Sequence, residues 1–276
     1  MSQPPPPRLQ LEPGSFYAAI AIALKRGAPI GSIIDLGCAD GLFALTARRM
    51  APLARAEILN VDAQAIYEPS LRRIQAALGG HYRICAVSER AGTADLTTAA
   101  HPYWSSLRPP SDGYWRQIEG AARATVTIAT RTLDDLVAET RLAPPHLLKL
   151  DVQGSELAAL AGAPRTLADT NLVVIETFVD DFPGIHRLLV DAGFDLFDLT
   201  TLNRGPDHEL SWFYPVYAHQ RLQLVTKRPL WSPEAAAQVL AVQAQRRAAQ
   251  LSELDALLGP LEARRPAPDA PPETPR

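Results

Sequence analysis

The sequence predicts an α/β protein with a doubly wound, mainly parallel sheet of seven strands, followed by a C-terminal helix. Apolar runs of strand length alternate with segments of helical periodicity, which is typical of repeated βαβ units. The first apolar run ends in a glycine-containing turn that opens a helix after Gly41. The 276 residues are 47% hydrophobic, which is enough for one full core and indicates a single catalytic domain with additions.

The predicted elements follow in chain order. Six apolar runs predict strands at residues 30–36, 57–61, 83–87, 146–152, 171–176 and 194–199. Apolar residues at helical spacing predict helices over 42–50, 67–78, 133–141, 156–167 and 184–192. Residues 212–226 predict one or two late strands with an antiparallel partner, and Ser232 is the expected N-cap of a helix over 233–258.

Composition indicates the domain boundaries. Residues 1–12 contain four consecutive prolines and residues 263–276 are dense in Pro, Ala and Glu, so both ends are expected to be disordered. The catalytic domain is predicted over 13–228 and the C-terminal helix within 229–262. The apolar stripe of this helix indicates packing on the domain, with pairing in a homodimer as the alternative.

Charge and cysteine content exclude several classes of function. The formal net charge is -3 and the pI is about 6.1, so nucleic acid is not an expected partner. The sequence has no apolar run that would span a bilayer and no signal-peptide pattern, which predicts a cytoplasmic protein. Cys38 and Cys85 are the only cysteines, which fits a reducing compartment and excludes a cysteine-based zinc site, and no metal ligand is assigned.

The turn after the first predicted strand has the features of a nucleotide site. Carboxylates at Asp35 and Asp40 would repel the pyrophosphate of a dinucleotide. S-adenosylmethionine has no phosphate. Acids in the turn can pair with its cationic groups, while backbone N–H groups donate hydrogen bonds to its carboxylate. We therefore expect S-adenosylmethionine to be bound by Asp35, Gly37, Cys38, Asp40 and Gly41. For Asp40, a plain N-cap role is an equal alternative.

The ends of the second and third predicted strands supply further candidates. Asp62 ends the second strand, where doubly wound nucleotide folds place the acid that accepts both ribose hydroxyls. Glu68 is the competitor, but it falls within the next helical pattern and fits a solvated first-turn acid. Ala86 and Val87, at the end of the third strand, are expected to contact the cofactor.

The fourth predicted strand carries polar residues in an otherwise apolar run. Alternation places Lys149, Asp151 and Gln153 on one side, and Glu156 follows at the start of a helix. A structural ion pair is the alternative interpretation of Lys149 and Asp151. Their position at the cofactor end of the sheet favours a catalytic site, which Glu176 joins at the end of the fifth strand.

Residues 99–122 form a long segment without periodicity. The segment contains Tyr103, Trp104, Ser105 and Ser106, and aromatic and hydroxyl side chains suit sugars and other polyols. Long connections of this kind are usually lids or binding loops. We expect these four residues to bind the acceptor, with a merely structural loop as the alternative.

Five motifs together resemble the FkbM family of S-adenosylmethionine-dependent methyltransferases over residues 33–217. The motifs are DLGCADG at 35–41, VD at 61–62, TLDDL at 132–136, KLDVQGSE at 149–156 and VVIE at 173–176. The resemblance implies a Rossmann-like class I methyltransferase fold and O-methylation of a sugar, glycolipid, polysaccharide or natural product. Two positions depart from the family pattern: Gln153 where Glu is more frequent, and Asp40 where Asn is more frequent.

The candidates for the base that accepts the hydroxyl proton are, in order, Asp151, Glu176 and His208. Lys149 would hold a carboxylate or the acceptor in place. Glu156 is a further candidate for acceptor binding. Two other functions stay open at this point. One is a catalytically idle, cofactor-binding partner of a larger assembly. The other is a nicotinamide-dependent oxidoreductase, although this sequence lacks the third glycine of the G-x-G-x-x-G motif of such enzymes.

Overall fold

The structure is a computed structural model that describes residues 11–108, 122–225 and 232–262. The predicted disorder of residues 263–276 and of nearly all of 1–12 lies outside the described residues, as does part of the 99–122 segment. The chain divides into two units, residues 1–225 and 226–276. The first unit contains the sheets, and the second contains a single described helix.

The main sheet has seven strands in the order β10-β11-β8-β7-β1-β2-β3, and a short β9 pairs with β11. The strands span β1 Ser32–Leu36, β2 Glu57–Asp62, β3 His81–Ile84, β7 His146–Leu150, β8 Thr170–Ile175, β9 Thr177–Phe178, β10 Phe194–Arg204 and β11 Leu210–His219. The pairs from β8 through β3 are parallel, whereas β11 is antiparallel to both neighbours. The predicted mainly parallel seven-stranded sheet is confirmed.

Helices cover both faces of this sheet. In the first unit they are α1 Phe16–Lys25, α2 Leu42–Ala47, α3 Glu68–Leu78, α4 Leu133–Thr140, α5 Glu156–Ala161, α6 Pro164–Ala168 and α7 Phe182–Asp191. Successive strand residues point to opposite faces, so Ile33 packs in one core cluster with α1 and α2, while Ile34 packs in the other with α4 to α7. Burial on both faces explains why the strands are continuous apolar runs.

A second sheet of three strands was not predicted. It consists of β4 Ala86–Val87, β5 Gly92–Ala99 and β6 Ala122–Arg131, in the order β4-β6-β5. The single strand predicted over 83–87 is therefore wrong, because the chain leaves the main sheet after Ile84 and pairs with β6 from Ala86. β5 is rich in threonine and partly exposed, so it lacks the apolar run that marks the other strands.

The helix predicted over 156–167 is also two helices. α5 ends at Ala161 and α6 begins at Pro164. Proline is favoured in the first turn of a helix because its missing N–H would have no partner there. The same proline would break the middle of a longer helix. The boundary between α5 and α6 is therefore explained by Pro164, which a prediction from the spacing of apolar residues alone does not take into account.

The second unit contains α8, which spans Pro233–Glu262. The helix predicted over 233–258 is thus confirmed, and the Ser232 hydroxyl accepts a hydrogen bond from the Ala235 N–H at 3.2 Å, as expected of an N-cap. Among the described helices, none has both the length and the apolar character needed to cross a membrane. The homodimer stays a prediction.

The order of strands reverses between β1 and β7, and Gly37 sits where these two strand ends meet. The N–H of Gly37 donates to the carbonyl of Val61 at 2.9 Å, and the N–H of Asp151 donates to the carbonyl of Leu36 at 3.0 Å. Gly37 has φ of 67°, and a Cβ there would lie 1.8 Å from the Asp151 carbonyl oxygen. Only glycine fits this close backbone approach.

We predict that Gly37→Ala lowers the free energy of unfolding by about 1–3 kcal/mol more than Gly27→Ala does. Gly27 is the matched control, because its φ is +92° but a Cβ there would meet nothing within 4 Å. Both variants carry the cost of a positive φ, so their difference measures the steric conflict with the Asp151 carbonyl. Urea unfolding of the two variants measures it, and equal losses would contradict the close approach.

Candidate active site

A cavity of about 1020 Å³ lies at the carboxyl ends of the main-sheet strands. In doubly wound folds this edge, next to the reversal of strand order, is where ligands bind. Most of the candidates that the sequence predicts line this cavity: Gly37, Cys38, Asp40, Asp62, Ala86, Val87, Tyr103, Trp104, Ser105, Lys149, Asp151 and Glu176. Residues from both sheets thus share one site.

Five candidates do not line the cavity. Asp35 is fully buried in β1 beneath it. Gly41 packs against α3, where a Cβ on Gly41 would lie 2.6 Å from Cδ1 of Ile74. Ser106 and Glu156 are buried in the turns around it. His208 is exposed in the β10–β11 connection. These positions do not support direct ligand contact by the five residues.

Asp62 occupies the end of β2 with both oxygens held by backbone donors. Oδ2 accepts from the N–H of Ala39 at 2.9 Å, and Oδ1 accepts from the N–H of Gln64 at 2.9 Å. Burial raises the pKa of Asp62, although these two N–H groups act in the opposite direction. A carboxylate has about four acceptor positions, so each oxygen retains capacity for a ligand hydroxyl.

The N-cap alternative for Asp40 is wrong. The N-cap of α2 is Gly41, with φ of 76°, and no side chain caps the helix. The Asp40 carboxylate instead accepts from the Ser70 hydroxyl at 2.7 Å and from the Tyr103 hydroxyl at 3.4 Å. Tyr103 stacks on Tyr67 with ring centroids 5.9 Å apart. Asp40 is therefore held at the cavity wall, beside an aromatic pair.

Lys149 lies buried between β1 and β7. Its Nζ donates to the Gly37 carbonyl at 3.1 Å and lies 3.4 Å from Asp35 Oδ1 and 3.3 Å from Asp151 Oδ2. Burial alone would lower the pKa of Lys149, but the two carboxylates outweigh it and raise the pKa above its ordinary value. Burial raises the pKa of Asp35 to about 6 against the opposing effect of Lys149. The two interpretations of Lys149 and Asp151 are therefore compatible, because the pair is a buried ion pair and also lines the cavity.

Asp151 and Glu176 form a carboxyl pair joined by two further side chains. The Gln153 amide nitrogen donates to Asp151 Oδ1 at 2.8 Å and to Glu176 Oε2 at 2.6 Å. The Tyr214 hydroxyl lies 3.0 Å from Asp151 Oδ2 and 3.0 Å from Glu176 Oε1. Two amide protons can serve two acceptors, but a tyrosine hydroxyl has one proton. The second contact of Tyr214 is a hydrogen bond only when one carboxyl is protonated.

The surroundings decide which carboxyl holds this proton. Burial would raise the pKa of Asp151, but the Lys149 ammonium and the hydrogen bonds from Gln153 and Tyr214 hold it below its ordinary value. Burial and the neighbouring Asp151 charge raise the pKa of Glu176 well above its ordinary value. Two carboxyl groups that interact this closely cannot both be ionised at little cost. Glu176 therefore carries the proton and Asp151 carries the charge.

The turn that follows β7 is built around Gln153 and Glu156. Gln153 has φ of 53°, and Glu156 Oε1 accepts from the N–H groups of Val152 and Gly154, each at 3.1 Å. The Ser106 hydroxyl donates to the Gln153 carbonyl. Ser106 and Glu156, predicted to bind the acceptor, lie where they hold this turn and thereby aim the Gln153 amide at the carboxyl pair.

The residues of the cavity wall that sequence reasoning did not identify include Tyr67, Phe178, Glu209, Trp212 and Tyr214. Trp212 and Tyr214 are two residues apart in β11, so they share one face of the sheet. That spacing was a usable signal once 212–226 was predicted to be a strand. Tyr67 is buried, and its hydroxyl has no hydrogen-bond partner among the described residues.

Among the described residues, no group of three or more His, Cys, Asp or Glu side chains is arranged to hold a metal ion. The fold, with its cavity at the strand reversal, is an α/β fold of Rossmann-like type. The family model described as the methyltransferase FkbM domain matches residues 27–196. The match covers more than half of the chain, which therefore belongs to the FkbM methyltransferase family.

The sequence identity to individual relatives is low. The chain is 28% identical to the 2-O-methyltransferase NoeI of Sinorhizobium fredii over 179 residues, which cover 58% of this chain and 68% of NoeI. It is 32% identical to the hexuronic acid methyltransferase AglP of Haloferax volcanii over 88 residues, or 32% of this chain and 36% of AglP. The crystal structure of an FkbM methyltransferase from Methylobacillus flagellatus has a TM-score of 0.43 at 14% identity, covering 68% of this chain and 44% of that one.

We predict that Glu156→Gln changes how stability depends on pH. Burial raises the pKa of Glu156 to about 7, so the folded state holds its proton more tightly than the unfolded state, and the resulting stability is lost as pH rises towards that value. Glutamine keeps the acceptor oxygen and has no proton to lose. Between pH 5 and 7.5 the wild type should lose about 2 kcal/mol of unfolding free energy relative to Glu156→Gln.

Urea unfolding of both proteins at each pH measures this difference, and titrations common to the two proteins cancel. Parallel pH profiles would show that Glu156 is ionised without penalty in the folded state.

Proposed function

We propose that this protein is an S-adenosylmethionine-dependent O-methyltransferase whose acceptor is a hydroxyl of a sugar, glycolipid, polysaccharide or natural product. The observation that carries the proposal is the placement of Asp62 and the Asp151–Glu176 pair along one cavity. Asp62 ends β2, on one side of the strand reversal, and the carboxyl pair lies at the ends of β7 and β8. A cofactor on the first side would meet an acceptor on the second.

The residues at the β1 and β2 ends fit S-adenosylmethionine. The Asp62 carboxylate suits a ribose diol because both of its oxygens have remaining acceptor capacity. Gly37 leaves the space at the turn that a side chain would fill. The carboxylates of Asp40, Asp62 and Asp151 face the same cavity and would favour the ammonium and sulfonium over a pyrophosphate. This charge disfavours the nicotinamide-dependent alternative.

The chain's own residues would then organise methyl transfer. When bound, the cofactor supplies an electrophilic methyl group on its sulfonium. Asp151 is the charged carboxylate and would accept the proton of the attacking hydroxyl. Glu176, which holds a proton, would donate a hydrogen bond to the Tyr214 hydroxyl without adding a second negative charge beside Asp151. Lys149 fixes Asp151 from behind, and a carboxyl pair poised in this way argues against a catalytically idle partner protein.

The relatives support an oxygen acceptor. NoeI is named a 2-O-methyltransferase and AglP a hexuronic acid methyltransferase. The aromatic residues Tyr103, Trp104 and Trp212 line the cavity, and such rings suit the apolar faces of sugar rings. A small-molecule or glycan acceptor is therefore proposed rather than nucleic acid.

We predict that Asp62→Ala weakens the binding of S-adenosylhomocysteine at least several-fold. Loss of a buried partner for ligand hydroxyls costs about 1–3 kcal/mol, and more when the partner is charged. Isothermal calorimetry measures the affinity, with Asp135→Ala, an exposed acid on α4, as control. Unchanged affinity in Asp62→Ala, or wild-type binding of NAD in place of S-adenosylhomocysteine, would contradict the cofactor assignment.

We predict different losses for the two members of the carboxyl pair. Asp151→Asn removes the base and should slow single-turnover methyl transfer about a hundredfold or more. Glu176→Gln replaces a protonated carboxyl with another neutral donor, so the loss should be about tenfold or less. His208→Ala is the control, since that side chain lies outside the cavity lining. The reverse order of losses would assign the base to Glu176.

A further inference from the structure

The acceptor side of the cavity is defined by the strand order. β11 and β9 lie beyond β8, on the side of the carboxyl pair away from β1 and β2. The cavity wall there is formed by Phe178 of β9 and Trp212 of β11, together with Glu209 and Ser211 at the start of β11. This wall is separate from the residues proposed to hold the cofactor.

Phe178 and Trp212 form an aromatic platform that leads to the carboxyl pair. They are directly opposed in the antiparallel pairing of β9 and β11, so their side chains stand on the same face. Tyr214 is two residues further along β11, on the same face again, and it contacts both Asp151 and Glu176. A ring lying on this platform would have its edge at the proposed base.

The charge of the cavity is strongly one-sided. Among the described lining residues, four carry charged carboxylates, namely Asp40, Asp62, Asp151 and Glu209, while Glu176 holds a proton. Lys149 is the one basic residue among the described lining residues, and its ammonium already contacts the Gly37 carbonyl, Asp35 and Asp151. The described part of the lining therefore offers an acceptor many hydrogen-bond acceptors and no uncommitted cation.

A nearby cation outside the lining is also committed. The Arg108 guanidinium lies over the Phe178 ring, 5.9 Å from its centroid, but it forms an ion pair with Asp181 and does not line the cavity. Glu209 packs over Gly205, where a Cβ would lie 1.8 Å from its Oε1. Glu209 is exposed, and its carboxylate lies beside the β10–β11 connection at the cavity wall.

We infer that the acceptor is a pyranose-sized polyol that is uncharged or carries an amino group, and that the cavity selects against acceptors with a carboxylate or phosphate. Trp212 and Phe178 would hold the ring face, and Glu209 would receive its hydroxyl or ammonium donors. An anionic acceptor would approach several carboxylates, with no free cation among the described lining residues to pair with it. The inference rests on the proposed methyl transfer, narrows its acceptor, and distinguishes this chain from AglP, whose name gives an acidic sugar as its substrate.

The experiment uses the full chain with S-adenosylmethionine and the methyl glycosides of glucose, galactose and mannose, each in neutral, 2-amino-2-deoxy and uronate form. Formation of S-adenosylhomocysteine gives kcat/KM for each acceptor. The expected result is that the best neutral or amino acceptor exceeds its uronate counterpart at least tenfold. A uronate as the best acceptor, or no methylation of any of these glycosides, would overturn the inference.

Two variants test the part played by Glu209. Glu209→Gln should reduce the preference for amino over neutral acceptors at least threefold, because it removes one carboxylate from the acceptor wall. Asp207→Asn makes the same change of charge in the same connection, at an exposed residue outside the lining, and should leave the preference unchanged. Equal effects of both variants, or none of Glu209→Gln, would contradict the role of Glu209.

The two proposals fail in distinguishable ways. If the wild type does not bind S-adenosylhomocysteine in calorimetry, the proposed function fails. If it binds S-adenosylhomocysteine and methylates a uronate preferentially, the proposed function stands and the acceptor inference fails.

Discussion

The buried ammonium of Lys149 is the interaction on which the rest of the site depends. Its contacts with the Gly37 carbonyl, Asp35 and Asp151 join the turn after β1 to the end of β7, the two strands that flank the reversal of strand order. A buried charge is tolerated only when it is paired and hydrogen-bonded, so these two strand ends cannot separate without leaving charges uncompensated. The lack of a side chain at Gly37 is what allows the backbones to come this close.

The same ammonium sets the chemistry of the carboxyl pair. Asp151 lies against Lys149 and keeps its charge, whereas Glu176 lies one strand further away and keeps a proton. Gln153 and Tyr214 hold the two carboxyls together with donors that match one charged and one neutral group. Environments that move two similar groups apart in pKa commonly separate the roles of base and hydrogen-bond donor in enzymes. The packing of the strand ends is therefore directly connected to the proposed transfer of a proton from the acceptor.

The sequence is sufficient to predict the main sheet and the strand-end candidates, because buried parallel strands are continuous apolar runs and their polar ends stand out. The contact of Tyr214 with Asp151 spans 63 positions and depends on β11 inserting antiparallel beside β8, which no local pattern encodes. The second sheet was missed because β5 is short of apolar residues. Glu156 was assigned to the acceptor because a polar residue at a helix start looks the same whether it faces a ligand or its own turn.

The most direct test of the account is a crystal structure of the protein with S-adenosylhomocysteine bound. The account predicts ribose hydroxyls on the Asp62 carboxylate and the sulfur atom facing Asp151, with the surface of Phe178 and Trp212 left open for the acceptor. Ribose placed away from Asp62, or a cofactor lying over Phe178 and Trp212, would contradict the division of the cavity into cofactor and acceptor sides.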